Sequence, residues 1–256
     1  MGSIQIEFPQ LPYEVEEALN RLRVNVKFCG KNTRKILIDS SVPDEGKSFV
    51  SVQLWRMLAE AGLQTVLVDA DLRKSVMKER YYFQYSEKEP KGLDYYLSGL
   101  AEYSDIVYHT NVKNGDIVPC TNLLENPSTL LEDPRMEELL DKLAEDYRYV
   151  IVDAPPLVNV ADGVQMAHMC DGAILVVNSG ETSKTLVKQS LNQLERADCR
   201  LLGVILNKAQ TATRAYYKYY GKCGSYYYGK DHNSENRQQL SMPPEGGIFV
   251  LVWDER

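Results

Sequence analysis

Residues 35–48 read Lys35-Ile36-Leu37-Ile38-Asp39-Ser40-Ser41-Val42-Pro43-Asp44-Glu45-Gly46-Lys47-Ser48. The opening residues, 35–39, form a short, mostly apolar run suited to a buried strand. Pro43 and Gly46 interrupt it. Beyond them Val50, Leu54, Met57 and Ala61 fall on one face of a helix that Gly62 stops. A strand, a tight loop ending in Gly-Lys-Ser and a helix is the setting in which backbone N–H groups and a helix N-terminus cradle phosphate. Gly46 lets the backbone approach closely, Lys47 brings a point charge to the β and γ phosphates, and the Ser48 hydroxyl suits Mg²⁺. Two positions depart from the G-x-x-x-x-G-K-[ST] pattern: Ser41 replaces the first glycine, and Asp44 puts a carboxylate inside the loop.

Five further runs resemble the first. They cover 65–69, 116–119, 149–153, 173–177 and 202–207, all short and apolar on both faces rather than alternating. Strands of that kind lie in a parallel sheet covered on both sides. Helical spacing recurs between them, over 134–147 (Met136, Leu139, Leu140, Leu143) and 183–197 (Leu186, Val187, Leu191, Leu194). The alternation predicts an α/β fold: a P-loop NTPase-like, doubly wound, mostly parallel sheet with helices on both faces. A charged helix over 11–28 precedes this alternation and is expected to pack on the surface or on another subunit. Residues 74–90 are polar and tyrosine-rich and read as a loop.

In an open sheet of this type, ligands bind beyond the carboxyl ends of the strands. Two other strands end there in aspartates: Asp69-Ala70-Asp71-Leu72-Arg73 and Asp153-Ala154-Pro155-Pro156. A lone aspartate after a strand more often caps the next helix. Three motifs at one sheet edge instead place Asp69, Asp71 and Asp153 around a triphosphate, where Mg²⁺ takes one or two carboxylates plus phosphate oxygens.

The net charge of -7 speaks against a nucleic-acid partner. No stretch approaches the roughly 20 apolar residues a membrane span needs. The N-terminus shows no basic patch followed by an apolar run, so a cytoplasmic location is expected. The five cysteines (Cys29, Cys120, Cys170, Cys199, Cys223) and three histidines (His109, His168, His232) are scattered and read as structural.

Taken together, Pro43-Asp44-Glu45-Gly46-Lys47-Ser48, Asp69-Ala70-Asp71-Leu72-Arg73 and Asp153-Ala154-Pro155-Pro156 resemble a known family, the bacterial tyrosine kinases of capsule and exopolysaccharide synthesis (BY-kinases). Their pattern is a modified Walker A, P-x-E-G-K-[ST], a Walker A′ of apolar residues then D-x-D-x-R, and a Walker B of apolar residues then D-x-x-P. The D-x-D-x-R element is the specific one. Gly92-Leu93-Asp94-Tyr95-Tyr96-Leu97-Ser98-Gly99, Asn126-Pro127-Ser128, Pro134-Arg135-Met136 and Val177-Asn178-Ser179-Gly180-Glu181-Thr182 are also similar to the family, and the resemblance runs from about Glu14 to Tyr228.

The resemblance implies an ATP-dependent protein-tyrosine kinase that uses ATP and Mg²⁺. Its catalytic residues would be Lys47, Asp69, Asp71 and Asp153, with Asp69 as the base toward the tyrosine. ATP would be bound by Pro43, Asp44, Glu45, Gly46, Lys47, Ser48, Phe49 and Asn207, and the metal by Ser48, Asp69 and Asp153. Within the 11–28 helix, Glu17-Ala18-Leu19-Asn20-Arg21-Leu22-Arg23 is similar to an E-x-x-R-x-x-R element that contacts the next subunit of a ring. Asn20 stands at the middle arginine, leaving Glu17, Arg21 and Arg23 as the oligomer contact. The family further implies a homo-oligomeric ring, a separate transmembrane adaptor that activates the enzyme, a cognate phosphotyrosine phosphatase, and a position peripheral to the plasma membrane.

Residues 216–228 hold seven tyrosines, Tyr216, Tyr217, Tyr219, Tyr220, Tyr226, Tyr227 and Tyr228, among Gly and Lys and with no helix or strand period. Beside a nucleotide site this cluster reads as a tail of phosphoacceptors, each phosphate adding about -1.5 to -2 charge. The organisation expected is therefore a helical segment over 1–30, a kinase domain over 31–210, a tyrosine-rich tail over 211–229 and a disordered or unrelated tail over 230–256. Two other functions fit the same nucleotide motifs. One is a deviant-Walker ATPase switch of the partition type, which would carry a lysine early in the loop where this chain has Ser41-Val42-Pro43. The other is a nucleotide-sensing scaffold without catalysis.

Overall fold

The structure, a computed structural model, describes residues 2–158, 161–209 and 247–251. Six parallel strands carry the fold: β2 (Lys35–Ser40), β3 (Thr65–Asp69), β6 (Gly115–Val118), β7 (Tyr149–Asp153), β8 (Gly172–Asn178) and β9 (Leu201–Ala209), in the order β9-β8-β2-β7-β3-β6. These are the six strands expected from the apolar runs. Three short strands extend the β6 edge. They are β1 (Ser3–Gln5), β4 (Gln84–Tyr85) and β5 (Tyr108–Thr110); β5 runs antiparallel to β6, and β1 lies between β5 and β4.

Side chains along each central strand alternate between two cores, as the pleat requires. In β2, Ile36 and Ile38 face one core and Leu37 the other. The first core lies under α1 (Tyr13–Phe28) and α2 (Lys47–Glu60), which contribute Leu19, Leu22 and Val26, and Val50, Leu54, Trp55 and Leu58. The second is closed by α7 (Arg135–Asp146), α8 (Asp162–His168) and α9 (Lys184–Arg196) through Leu139, Leu140, Leu143, Met166 and Leu194. Fully burying one such side chain is worth roughly 1.5–3 kcal/mol, so the two sandwiched faces hold the sheet rigid beneath its loops. Trp55 ties α2 to β3 by donating its indole N–H to the Thr65 carbonyl at 3.2 Å.

Helix α1 keeps its apolar stripe on the chain's own sheet and α2, burying Val15, Ala18, Leu19, Leu22 and Val26. The segment over 74–90, expected as a loop, is more ordered than its polarity suggests. It forms α3 (Met77–Arg80) and β4, and inserts Met77, Tyr81 and Phe83 into the core. Between β4 and α7 lie the short helices α4 (Leu93–Leu97), α5 (Tyr103–Ile106) and α6 (Ser128–Leu131). Residues 247–251, within the segment expected as a disordered or unrelated tail, form β10 (Gly247–Leu251), which pairs antiparallel with β9 beside α1. The seven tyrosines expected as phosphoacceptors lie outside the described residues. No helix among the described residues is long and apolar enough to cross a membrane.

Candidate active site

The turn from β2 into α2 is built by two residues with positive φ, Asp44 (64°) and Gly46 (96°). At Gly46 the conformation is the left-handed one glycine adopts without cost. A Cβ there would also lie 2.1 Å from the Asn207 amide nitrogen. The loop is fastened from below rather than left to swing. The Glu45 carboxylate is buried and accepts the Val42 and Asn178 backbone N–H groups, each at 2.9 Å, together with the Thr182 hydroxyl. The Glu45 carbonyl accepts the Asn207 amide at 2.8 Å, and the Asp44 carbonyl accepts the Lys208 ammonium at 2.6 Å. Ser41, in place of the first loop glycine, is fully buried and is bonded by the Ser190 hydroxyl of α9 at 2.8 Å.

Lys47 and Ser48 open α2, and Lys47 points across the strand ends. Its ammonium donates to Asp71 at 2.8 Å, lies 3.6 Å from an Asp153 oxygen and 3.4 Å from the Ser48 hydroxyl. Burial opposes the charge on Lys47, but the carboxylates of Asp153 and Asp71 outweigh it and hold the ammonium protonated well above its ordinary range. Asp153, at the end of β7, also accepts the Ser51 hydroxyl of α2 at 2.9 Å. Burial pushes Asp153 up, against the pull of Lys47.

Asp69 ends β3 directly opposite Asp153 in the parallel register. It accepts the Ser75 hydroxyl on one oxygen, while the other is buried with no hydrogen-bond partner among the described residues. Burial, and then the neighbouring Asp153 charge, raise Asp69 to about 8. Behind the loop, Asp39 is driven well above the carboxylate range, chiefly by burial. Burial of this kind disfavours the charged form of a carboxyl group.

Of the residues expected to act together, Lys47, Ser48, Asp71 and Asp153 converge directly. Asp69 completes the rim from the next strand. Phe49 packs toward the α1–α2 core, Asn207 supports the loop from beneath, and the Glu45 side chain faces inward, away from the cradle. Pro43 and Asp44 are exposed at the loop tip. Glu17, Arg21 and Arg23 lie on α1 and form no ion pair with any described residue. On the same helix Tyr13, Val24 and Phe28 stand exposed.

The sequence reading missed Asp162 and gave Ser128, within Asn126-Pro127-Ser128, no role. Arg73, the last residue of D-x-D-x-R, donates to Asp162 at 2.6 and 3.3 Å and to the Ser128 hydroxyl at 2.9 Å. In sequence, Asp162 reads as an ordinary helix start, and nothing there links it to Arg73. Among the described residues no three His, Cys, Asp or Glu side chains gather closely enough to hold a metal alone. The donors present, the Ser48 hydroxyl and the Asp153 and Asp69 carboxylates, are all hard oxygens. They fit Mg²⁺, which normally fills its remaining positions with phosphate oxygens and water.

A family model described as AAA domain matches residues 34–203. The chain is 36% identical over 211 residues to the tyrosine-protein kinase CpsD of Streptococcus agalactiae, covering 82% of this chain and 91% of that protein. Its fold is similar to the solved kinase domain of the Escherichia coli tyrosine kinase ETK, with a TM-score of 0.69 and 29% identity over 77% of this chain and 78% of that one. The septum site-determining protein MinD of Pyrococcus horikoshii, solved with Mg-ADP, is similar at a TM-score of 0.58 and 26% identity, covering 68% of this chain and 70% of that one.

Proposed function

The chain belongs to the bacterial tyrosine kinases and is a protein-tyrosine kinase on a P-loop α/β fold; from that premise we propose how its residues perform the transfer, and on what. The observation that carries the proposal is the meeting of Lys47, Ser48, Asp71 and Asp153 at the carboxyl ends of β2, β3 and β7. ATP supplies the γ-phosphoryl group, and Mg²⁺, when bound, would neutralise charge on its oxygens. The amides of the 42–48 loop and the start of α2 receive the phosphates. Lys47 leaves Asp71 for the β and γ oxygens, and Ser48, Asp153 and Asp69 would hold the cation.

Phosphoryl transfer needs alignment and charge stabilisation more than covalent chemistry. The acceptor phenol, with a pKa near ~10 when free, is oriented by Asp71 once Lys47 has released it. Asp69 takes the phenolic proton as the new O–P bond forms and the bond to the leaving ADP oxygen breaks. Burial raises Asp69 to about 8, which favours its protonated form near neutral pH, so it serves as a base only after losing that proton, a loss that a cation held alongside would favour. The adenine lies toward Asn207 and Lys208.

The acceptors in this reading are Tyr216, Tyr217, Tyr219, Tyr220, Tyr226, Tyr227 and Tyr228, presented by one copy of the chain to the site of the next. Glu17, Arg21 and Arg23 join the copies into a ring; their freedom from ion pairs with described residues and the exposed Tyr13, Val24 and Phe28 on α1 support that use of the helix. A transmembrane adaptor activates the kinase at the plasma membrane, a phosphotyrosine phosphatase reverses it, and the cycle regulates capsular or exopolysaccharide synthesis.

The test is phosphotyrosine on the purified protein after incubation with Mg-ATP. Lys47→Met is expected to abolish it, and mass spectrometry is expected to find the phosphates between residues 216 and 228. Phosphotyrosine at the wild-type level in Lys47→Met would overturn the assignment of the site. Phosphate confined to tyrosines elsewhere would overturn the assignment of the tail.

A further inference from the structure

Arg73 is the last residue of the motif that carries Asp69 and Asp71, yet it does not face the phosphate cradle. Its Nε donates to an Asp162 oxygen at 2.6 Å, and one terminal nitrogen donates to the other Asp162 oxygen at 3.3 Å and to the Ser128 hydroxyl at 2.9 Å. Its second terminal nitrogen donates to the Glu125 carbonyl at 3.2 Å. Asp162 is completely buried and also accepts the Ser128 hydroxyl at 2.7 Å. A fork-shaped guanidinium on a buried carboxylate fixes orientation as well as position, which a lysine does not do.

The turn between Asp71 and Lys74 is thereby held at three points. The Lys74 N–H closes it onto an Asp71 oxygen at 3.0 Å, the Leu124 N–H bonds the Leu72 carbonyl at 2.7 Å, and Arg73 is locked to Asp162. Asp162 begins α8, the helix that follows the Asp153 loop. One buried carboxylate therefore ties the turn bearing Asp71 to the segment that follows Asp153, and both to residues 125–128.

We propose that Asp162 is a positioning residue for phosphoryl transfer: through Arg73 and Ser128 it fixes the turn that aims Asp71 between Lys47 and the acceptor tyrosine. It touches neither nucleotide nor tyrosine. This rests on the kinase site described above. Because it acts on alignment and not on the phosphate loop, its loss lowers kcat and leaves nucleotide affinity in place. Misplacing a reacting group by about 1 Å costs up to about 100-fold in rate.

The variants are Asp162→Asn, which keeps the shape but loses the charge, Ser128→Ala, and Arg73→Lys. The measurements are kcat for tyrosine phosphorylation, calorimetric Kd for Mg-ATP and the melting temperature. Asp162→Asn and Arg73→Lys are expected to lower kcat at least about 10-fold with Kd changed by less than about twofold, and Ser128→Ala to lower kcat about threefold. A folded Asp162→Asn with wild-type kcat overturns the proposal. So does a parallel loss of kcat and nucleotide affinity, the mark of a purely structural role. Should Asp162→Asn not fold, Ser128→Ala decides, and wild-type kcat there overturns the proposal. The kinase reading is tested separately in the same assay, since its failure appears as absence of phosphotyrosine in the unaltered protein.

Discussion

Asp69 and Asp153 end neighbouring parallel strands in direct register, both wholly buried, and the Asp153 charge adds to burial in raising the cost of ionising Asp69. Lys47 faces Asp153 and Asp71, while among the described residues Asp69 is hydrogen-bonded by the Ser75 hydroxyl. Burial and the Asp153 charge therefore push Asp69 toward its protonated form.

This gives stability a defined pH dependence. Asp69 moves from an ordinary 3.8 to about 8 in the folded protein. Below 3.8 both folded and unfolded chains hold the proton and there is no effect. Between 3.8 and about 8 the unfolded chain has ionised while the folded one has not, so stability falls as pH rises. The slope is on the order of 1 kcal/mol per pH unit, and it ends once the folded state ionises too. Asp69→Asn removes this penalty. Without nucleotide, the variant's melting temperature is expected to exceed that of the unaltered protein by a margin that grows from pH 5 to pH 8, while phosphotransfer is lost. A margin that stays constant or shrinks with pH would sink the idea.

Gly46→Ala tests the geometry of the loop. The residue sits at φ 96°, and a Cβ would approach the Asn207 amide nitrogen to 2.1 Å. That amide is already committed to the Glu45 carbonyl. Alanine must therefore accept a left-handed backbone and also displace the bond that supports the loop. We expect a loss of roughly 1–3 kcal/mol in stability and a fall in ATP affinity of more than about tenfold, equivalent to 1.4 kcal/mol. Thermal melts and calorimetry check both, and unchanged ATP binding would refute the account of the loop.

How far the sequence foretold this site depends on which forces set each part. The six central strands were legible because strands buried on both faces must be apolar at every position, as in Ile36-Leu37-Ile38 and Val150-Ile151-Val152. Strands β1, β4 and β5 are two or three residues long and sit at an edge, too short to show a period. Lys47, Ser48 and the three aspartates were legible because strand ends at one sheet edge converge whatever the intervening chain does. The pairing of Lys47 with Asp71, the inward turn of Glu45 and the Arg73–Asp162 lock were not. Each is decided by the path of a loop between distant elements, and a buried aspartate looks in sequence like any helix cap.

Glu45 supplies the last prediction, because the sequence assigns it to the nucleotide and the fold gives it other partners. Its two oxygens take two backbone N–H groups, from Val42 and Asn178, and the Thr182 hydroxyl, so the phosphate loop is riveted to the segment after β8. Glu45→Ala would strand those donors, at about 1–3 kcal/mol for each that water cannot reach. Glu45→Gln would keep one accepting oxygen and set an amide nitrogen against another donor, so it should fall between the two. Chemical denaturation is expected to rank stability as unaltered, then Gln, then Ala, with ATP affinity falling in the same order because the loop loses its shape. If Glu45 instead gripped the nucleotide directly, Glu45→Ala would weaken ATP binding while leaving the stability of the nucleotide-free protein untouched. That outcome would reverse the role given to it by the structure.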